Sequence, residues 1–252
     1  MEATIKQISR DLLEGLNQLL WPGVCVNCGG NISSDEKVLC GECWSSVLSG
    51  ASGDYCPRCG VDVSRYAVVG GACPRCQGKE MFFDGIARGG IYGEALRRMI
   101  LLFKNDKTEL NAMLSFLANS ALEGSSFYGG IDFFVPVPLH WRRRFLRGYN
   151  QSLVLAKKLR HSQAKVNTEL VRVRYTKAQT ATASEFQRAK NVAGAFAVRR
   201  GHKFTGRNIC LVDDIKTTGA TLNECARTLK EAGAAKVFAV VLAVAGQGES
   251  KK

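Results

Sequence analysis

The sequence predicts an α/β domain with a mainly parallel sheet, preceded by a small cysteine-rich module. Three observations lead there. From residue 83 onward, short and near-continuous apolar runs alternate with helix-length segments, the pattern of strands buried on both faces. Four Cys-x-x-Cys pairs crowd residues 25–76. The run CLVDDIKTTGATL, from Cys210 to Leu222, joins an apolar strand to a helix through two acids and a Thr-Thr-Gly turn.

Residues 1–22 come first. Ile5, Ile8, Leu12, Leu13, Leu16, Leu19 and Leu20 recur mainly in steps of three and four, so this segment predicts an amphipathic helix that docks on either module or serves as a partner helix, docking being the favoured reading. Acids run through the place where a secretory apolar core would sit, so the segment reads as mature protein. With no apolar run of 18 residues, no membrane span is expected, and a cytoplasmic location follows.

Residues 23–79 are rich in Cys, Gly and turns and hold little apolar mass, so burial alone would hardly fold them. Eight of the ten cysteines pair here as Cys25/Cys28, Cys40/Cys43, Cys56/Cys59 and Cys73/Cys76, with linkers of 11, 12 and 13 residues. In a reducing compartment, thiolates at this spacing point to metal. The expectation is two structural Zn²⁺ sites of four thiolates each, which leave no open position for catalysis. Sequential pairing is simplest: Cys25, Cys28, Cys40 and Cys43 in one site, Cys56, Cys59, Cys73 and Cys76 in the other. The spacing also permits an interleaved pairing, and an iron–sulfur cluster is the chemical rival. Cys210 and Cys225 read as packing residues.

Residues 80–248 carry the α/β pattern. Strands are expected near Phe83–Arg88, Ile131–Val135, Leu170–Val173, Gly194–Val198, Asn208–Val212 and Lys236–Ala243. Helices are expected around Tyr92–Phe103, Leu110–Leu122, Gly148–Leu159 and Leu222–Ala232, the last ended by Gly233.

Charge is uneven. From Arg142 to Arg207 there are 17 Lys or Arg and two acids, Glu169 and Glu185, a local excess of +15 in a chain of net +13. A field so localised favours polyanionic partners, either phosphate-rich small molecules or nucleic acid.

The run at Cys210–Leu222 has a chemical logic. Open α/β sheets place ligands at the carboxyl ends of strands, where Asp213 and Asp214 would follow Val212 on a loop. Adjacent carboxylates need a cation or hydroxyls, and a sugar diol with a divalent metal supplies both. Thr217, Thr218 and Gly219 open the next helix, whose free N–H groups suit a phosphate. Gly219 permits close backbone approach, and Thr221 can point back to the same anion. Lys216 either adds a phosphate contact or points to solvent.

Val-Asp-Asp-Ile-Lys-Thr-Thr-Gly-Ala-Thr closely resembles the phosphoribosyl-pyrophosphate (PRPP) signature of type I phosphoribosyltransferases. Three further segments strengthen the likeness: Val135-Pro-Val-Pro-Leu-His140 followed by Trp141-Arg-Arg-Arg144; Arg147-Gly-Tyr-Asn-Gln151; and Thr176, Gln179 and Arg188 ahead of Asn191-Val-Ala-Gly-Ala-Phe196. With the cysteine module, they make the chain resemble the ComF family of competence proteins over residues from about 20 to 245. Phe186 stands where that family often has Leu, a change that preserves packing.

The resemblance implies a type I phosphoribosyltransferase-like domain after a double zinc ribbon. It implies that Asp213 and Asp214 contact ribose hydroxyls, with Mg²⁺ as a bridging ion. Lys216, Thr217, Thr218, Gly219, Ala220 and Thr221 would form the 5′-phosphate loop, and Leu139 and His140 would flank pyrophosphate. Two functions follow. One is handling of incoming single-stranded DNA during natural transformation, in the cytosol near the inner face of the membrane, beside DNA-uptake, recombination or helicase proteins. Trp141, Arg142, Arg143, Arg144, Arg147 and Arg188 would serve it, with Tyr149 and Tyr175 as further stacking rings. The other is Mg²⁺-dependent phosphoribosyl transfer to an acceptor that no segment specifies. Related transferase domains often pair, which implies a homo-oligomer.

Overall fold

The computed structural model describes residues 23–33, 38–104, 110–176 and 184–245. The helix expected over residues 1–22 lies outside them, as does Gln179.

Seven strands form. β1 (Gly85–Arg88), β2 (Phe133–Pro136), β3 (Lys165–Val166), β6 (Asn208–Lys216) and β7 (Lys236–Val244) make one sheet in the order β1-β7-β6-β2-β3, and every pairing in it is parallel. β4 (Leu170–Arg172) and β5 (Phe196–Val198) pair antiparallel beside it. The α/β class with a mainly parallel sheet is therefore as expected.

The central strands explain why the apolar runs are nearly unbroken. Successive side chains alternate faces. Cys210, Val212, Val240 and Leu242 join one core with α2 (Glu94–Phe103), α3 (Asn111–Glu123) and α5 (Gln151–Ala156), through Met99, Ile100, Leu117 and Leu155. Ile209, Leu211, Ala239 and Val241 join the opposite core with α7 (Ala220–Glu231), through Leu222, Cys225, Ala226 and Leu229. Each buried Leu contributes about 1.5–3 kcal/mol. Cys210 and Cys225 are packing residues in these two layers, both 0 % exposed.

Three helices were not expected. α1 (Gly41–Ala51) starts directly after Cys40, inside the cysteine module. α4 (Trp141–Arg147) is held at its start by His140, whose Nδ1 accepts the Arg142 N–H at 3.3 Å. Four of its seven residues are arginines and its two rings, Trp141 and Phe145, face solvent, so no buried apolar period announced it. α6 (Glu185–Val192) begins with a capping box in which Ser184 and Gln187 satisfy each other's backbone N–H groups. The helix expected over Gly148–Leu159 is shorter, because Gly148 takes a positive φ and Asn150 caps the start at Gln151.

Both halves of the cysteine module sit on the α/β layers. Arg98 on α2 donates to the Asn27 carbonyl at 3.1 Å, and Trp44 on α1 packs against Phe116. The second half lies on β1. Ile86 N–H donates to the Pro57 carbonyl at 2.8 Å, and a Cβ on Gly60 would come within 3.0 Å of Val244 and 3.2 Å of Ile86. Arg88 passes from β1 into this half fully buried, donating to the Gly60 carbonyl and to Asp62, with its guanidinium 4.6 Å from the centre of the Tyr55 ring.

Candidate functional site

The eight paired cysteines form two clusters, and the pairing is sequential. The sulfurs of Cys25, Cys28, Cys40 and Cys43 lie within 4.8 Å of one another, as do those of Cys56, Cys59, Cys73 and Cys76. Individual gaps are 3.7 Å for Cys28–Cys40, 3.7 Å for Cys56–Cys76 and 3.6 Å for Cys59–Cys73. These are far beyond a disulfide bond. A tetrahedral zinc with Zn–S of about 2.3 Å has sulfur–sulfur edges of about 3.8 Å. The clusters therefore fit one ion each, and a multi-iron cluster would need its ligands farther apart. Both sets can chelate structural Zn²⁺.

The paired carboxylates sit differently from expectation. β6 runs on to Lys216, so Asp213 and Asp214 belong to the strand and not to a loop. The extension is held by β7, where Asp213 faces Val241 and Lys216 faces Val244. Asp213 Oδ1 accepts the Ser152 hydroxyl and the Asp214 N–H, each at 3.0 Å. Asp214 Oδ2 meets the Lys104 ammonium at 2.8 Å. Burial first, and then the adjacent Asp214 charge, push Asp213 up to about 7; the Asp214 N–H, the Ser152 hydroxyl and Lys104 pull the other way. Such a site can give up or hold a proton near neutrality and offers two carboxylates to a cation or a diol.

The turn after β6 is the anion-binding half. Gly219 has φ +84°, in the left-handed region, and α7 begins at Ala220. The backbone N–H groups of Thr217, Thr218 and Gly219 donate to nothing among the described residues. Lys216 is 6 % exposed, which removes the reading that it points to solvent. Its chain passes under the turn: Cε and Nζ lie 3.0 and 3.6 Å from where a Gly219 Cβ would stand. Burial lowers its pKa below the ordinary lysine value.

A cavity of about 380 Å³ opens here. Lys216, Thr217, Thr218, Gly219 and Ala220 form one wall, Glu185 and Arg188 of α6 another, and Cys59, Arg75, Cys76 and Lys79 of the cysteine module a third. Asp213, Asp214, Thr221, Leu139 and His140 are not in its lining.

The basic residues divide between two places. Arg188 lines the cavity, whereas Arg142, Arg143, Arg144 and Arg147 belong to α4. On α4, Trp141 is 65 % and Phe145 87 % exposed. The Arg142 guanidinium lies 5.2 Å from the centre of the Trp141 ring and 5.6 Å from that of Tyr175. Tyr149 instead turns inward, its hydroxyl donating to the Phe103 carbonyl. Phe186 is 77 % exposed, so the Leu-to-Phe difference read as packing-preserving is not in a packed position. Sequence reasoning missed Lys104, Ser152 and Arg75. Ser152 directly follows the Arg-Gly-Tyr-Asn-Gln segment, a signal that was available. Lys104 and Arg75 carry no local signal.

A family described as the double zinc ribbon domain matches residues 16–77, and one described as the phosphoribosyl transferase domain matches residues 150–252. Competence protein F of Haemophilus influenzae is 30 % identical over 222 residues, covering 84 % of this chain and 93 % of that protein. Competence protein ComFC of Bacillus subtilis is 30 % identical over 220 residues, covering 81 % and 82 %. DNA utilization protein YhgH of Escherichia coli K12 is 29 % identical over 222 residues, covering 86 % and 94 %. With a double zinc ribbon ahead of a type I phosphoribosyltransferase-like fold along this length of shared sequence, the chain belongs to the ComF family of competence proteins.

Proposed function

We propose that this protein handles incoming single-stranded DNA in the cytosol during natural transformation and holds PRPP, or another phosphorylated sugar, in its α/β domain. The carrying observation is α4: two exposed rings, Trp141 and Phe145, stand among Arg142, Arg144 and Arg147 in the most basic part of the chain. Bases stack on exposed rings while arginines track the phosphates, a sequence-tolerant arrangement. Relatives named as competence and DNA utilization proteins support the reading. No helix among the described residues is long and apolar enough to cross a membrane, so DNA would be received at the inner face without a span in those residues.

In this reading, residues 23–79 are the double ribbon and 80–248 the ligand-binding domain. Partners are uptake, recombination or helicase proteins, with a second copy of the chain as a further one. The test is a fluorescence-anisotropy titration of labelled single-stranded DNA across a salt series, repeated with Mg²⁺–PRPP. Binding that weakens steeply with salt supports the function, and no binding at moderate salt overturns it. Displacement by Mg²⁺–PRPP beyond an ionic-strength control would mean coupled sites.

One observation favours a second reading, Mg²⁺-dependent phosphoribosyl transfer. Asp213 and Asp214 stand at the carboxyl end of a parallel strand, directly before an unsatisfied N–H turn. Pyrophosphate release from PRPP that Asp213→Asn/Asp214→Asn abolishes, at unchanged zinc content, would support it. Release that survives the double substitution would reject the site.

A further inference from the structure

We propose that the second zinc ribbon is part of the ligand site: Arg75, between Cys73 and Cys76, faces the same phosphate monoester as Lys216 and the turn before α7. The inference rests on the phosphate-loop reading above and adds to it a wall from the other module.

Three observations meet at this place. First, the turn at Thr217–Gly219 offers three N–H groups that donate to nothing among the described residues, ahead of a helix of 12 residues. Such an end attracts anions. Second, Lys216 is 6 % exposed and lines the cavity, and its side-chain ammonium makes no hydrogen bond or ion pair among the described residues. A buried ammonium without a partner is costly unless an anion meets it. Third, the opposite wall is the ribbon itself: Cys59, Arg75 and Cys76 line the cavity. Arg75 is exposed there and likewise makes no side-chain hydrogen bond or ion pair among the described residues.

The charges around the cavity decide its preference. Arg75, Lys79, Arg188 and Lys216 outnumber Glu80 and Glu185. Lys79 and Glu185 offset each other at 3.1 Å. The lining side chains outside the metal site are left cationic, against the net negative charge that a zinc held by four thiolates carries, and Val61, Met81 and Phe83 give the lining an apolar side. A phosphate monoester matches this: a dianion toward Lys216, the turn and Arg75, and a carbon skeleton against the apolar side. A ligand gripped from both modules binds only while the ribbon is folded. By linkage it must therefore protect the second metal site.

The experiment uses the full-length, zinc-loaded protein and ribose 5-phosphate, followed by isothermal titration. A second readout is the rate at which a chelator draws zinc, with and without the sugar phosphate. Lys216→Met should weaken binding about tenfold or more. Arg75→Ala should weaken it about two- to fivefold and remove the ligand's protection of the more slowly released zinc. Arg75→Lys should retain most of both effects. Arg75 is exposed, so its variants test the idea even if Lys216→Met fails to fold. Wild-type affinity and protection in Arg75→Ala would overturn the ribbon wall, while loss in Lys216→Met alone would leave the phosphate loop standing. No binding of ribose 5-phosphate or PRPP by the wild type would overturn the phosphate-loop reading as well.

Discussion

The Lys104 ammonium lies 2.8 Å from Asp214 Oδ2, so the end of α2 supplies the cation that answers one of two adjacent carboxylates in β6. Both side chains are mostly buried, at 21 % and 15 % exposed. Lys104→Met should cost about 1–3 kcal/mol, because a half-desolvated carboxylate loses its partner. Added Mg²⁺ should restore part of that in the variant more than in the wild type. Urea unfolding with and without Mg²⁺ measures both, and an unchanged midpoint would show that water already screens the pair.

Asp213 gives stability a definite pH dependence. Its folded pKa of about 7 lies above the ordinary 3.8. Between those values the native state holds a proton that the unfolded chain has released. The contribution is therefore whole below the unfolded value and is lost as pH rises through the folded one. Asp213→Asn keeps an oxygen for Ser152 and carries no charge. Its Tm should match the wild type at about pH 3.5, below the unfolded value, and exceed it at about pH 8. An equal offset at both pH values would mean that Asp213 is ionised throughout.

The two metal sites should empty separately. Cys28 is exposed, whereas Cys56, Cys59, Cys73 and Cys76 are all 5 % exposed or less. A chelator should draw zinc in two phases of one equivalent each, the first from the Cys25 set. Cys28→Ser should remove the fast phase and leave the slow one. A single phase carrying both equivalents would contradict this.

Arg88 is a buried charge whose partner reaches solvent: its side chain is 0 % exposed and that of Asp62 46 %. Asp62→Asn leaves the guanidinium buried without its counterion and should cost about 3–5 kcal/mol. Arg88→Met removes the charge at similar volume and frees Asp62 to solvent, so it should cost less. Chemical denaturation of both variants gives the order, and the reverse order would show that the pair is not held together by charge.

The rings and arginines of α4 should separate by salt. Phe145→Ala and Trp141→Ala should each weaken single-stranded DNA binding by about 1–3 kcal/mol without altering the log–log salt slope. Arg144→Gln or Arg147→Gln should reduce that slope by about 0.7. Ring variants that change the slope, or arginine variants that do not, would place the strand elsewhere.

Much of this was legible in local pattern. Unbroken runs such as Ile209–Val212 predicted strands buried on both faces, and the double layering of Cys210 and Leu211 bears that out. Boundaries failed where tertiary pairing outweighs composition. Asp213, Asp214 and Lys216 are poor strand residues alone, yet β7 holds them in register opposite Val241 to Val244. α4 and α6 were missed because they are short: seven and eight residues hold too few apolar positions to fix a period, Trp141 and Phe145 in one and Phe186, Ala189 and the buried Val192 in the other.

Spacing was enough for the chemistry that residues carry with them. Thiolates with two residues between them must converge, and adjacent acids before a Thr-Thr-Gly turn share one strand end wherever the chain goes. Which thiolates share an ion, which cation answers Asp214, and what faces Lys216 across the cavity were decided only by tertiary structure. Those relations join residues far apart in the chain, such as Lys104 with Asp214 and Arg75 with Lys216. They exist only after the sheet has packed and the ribbon has docked on β1. Burial then turns an ordinary lysine and aspartate into groups that need a partner.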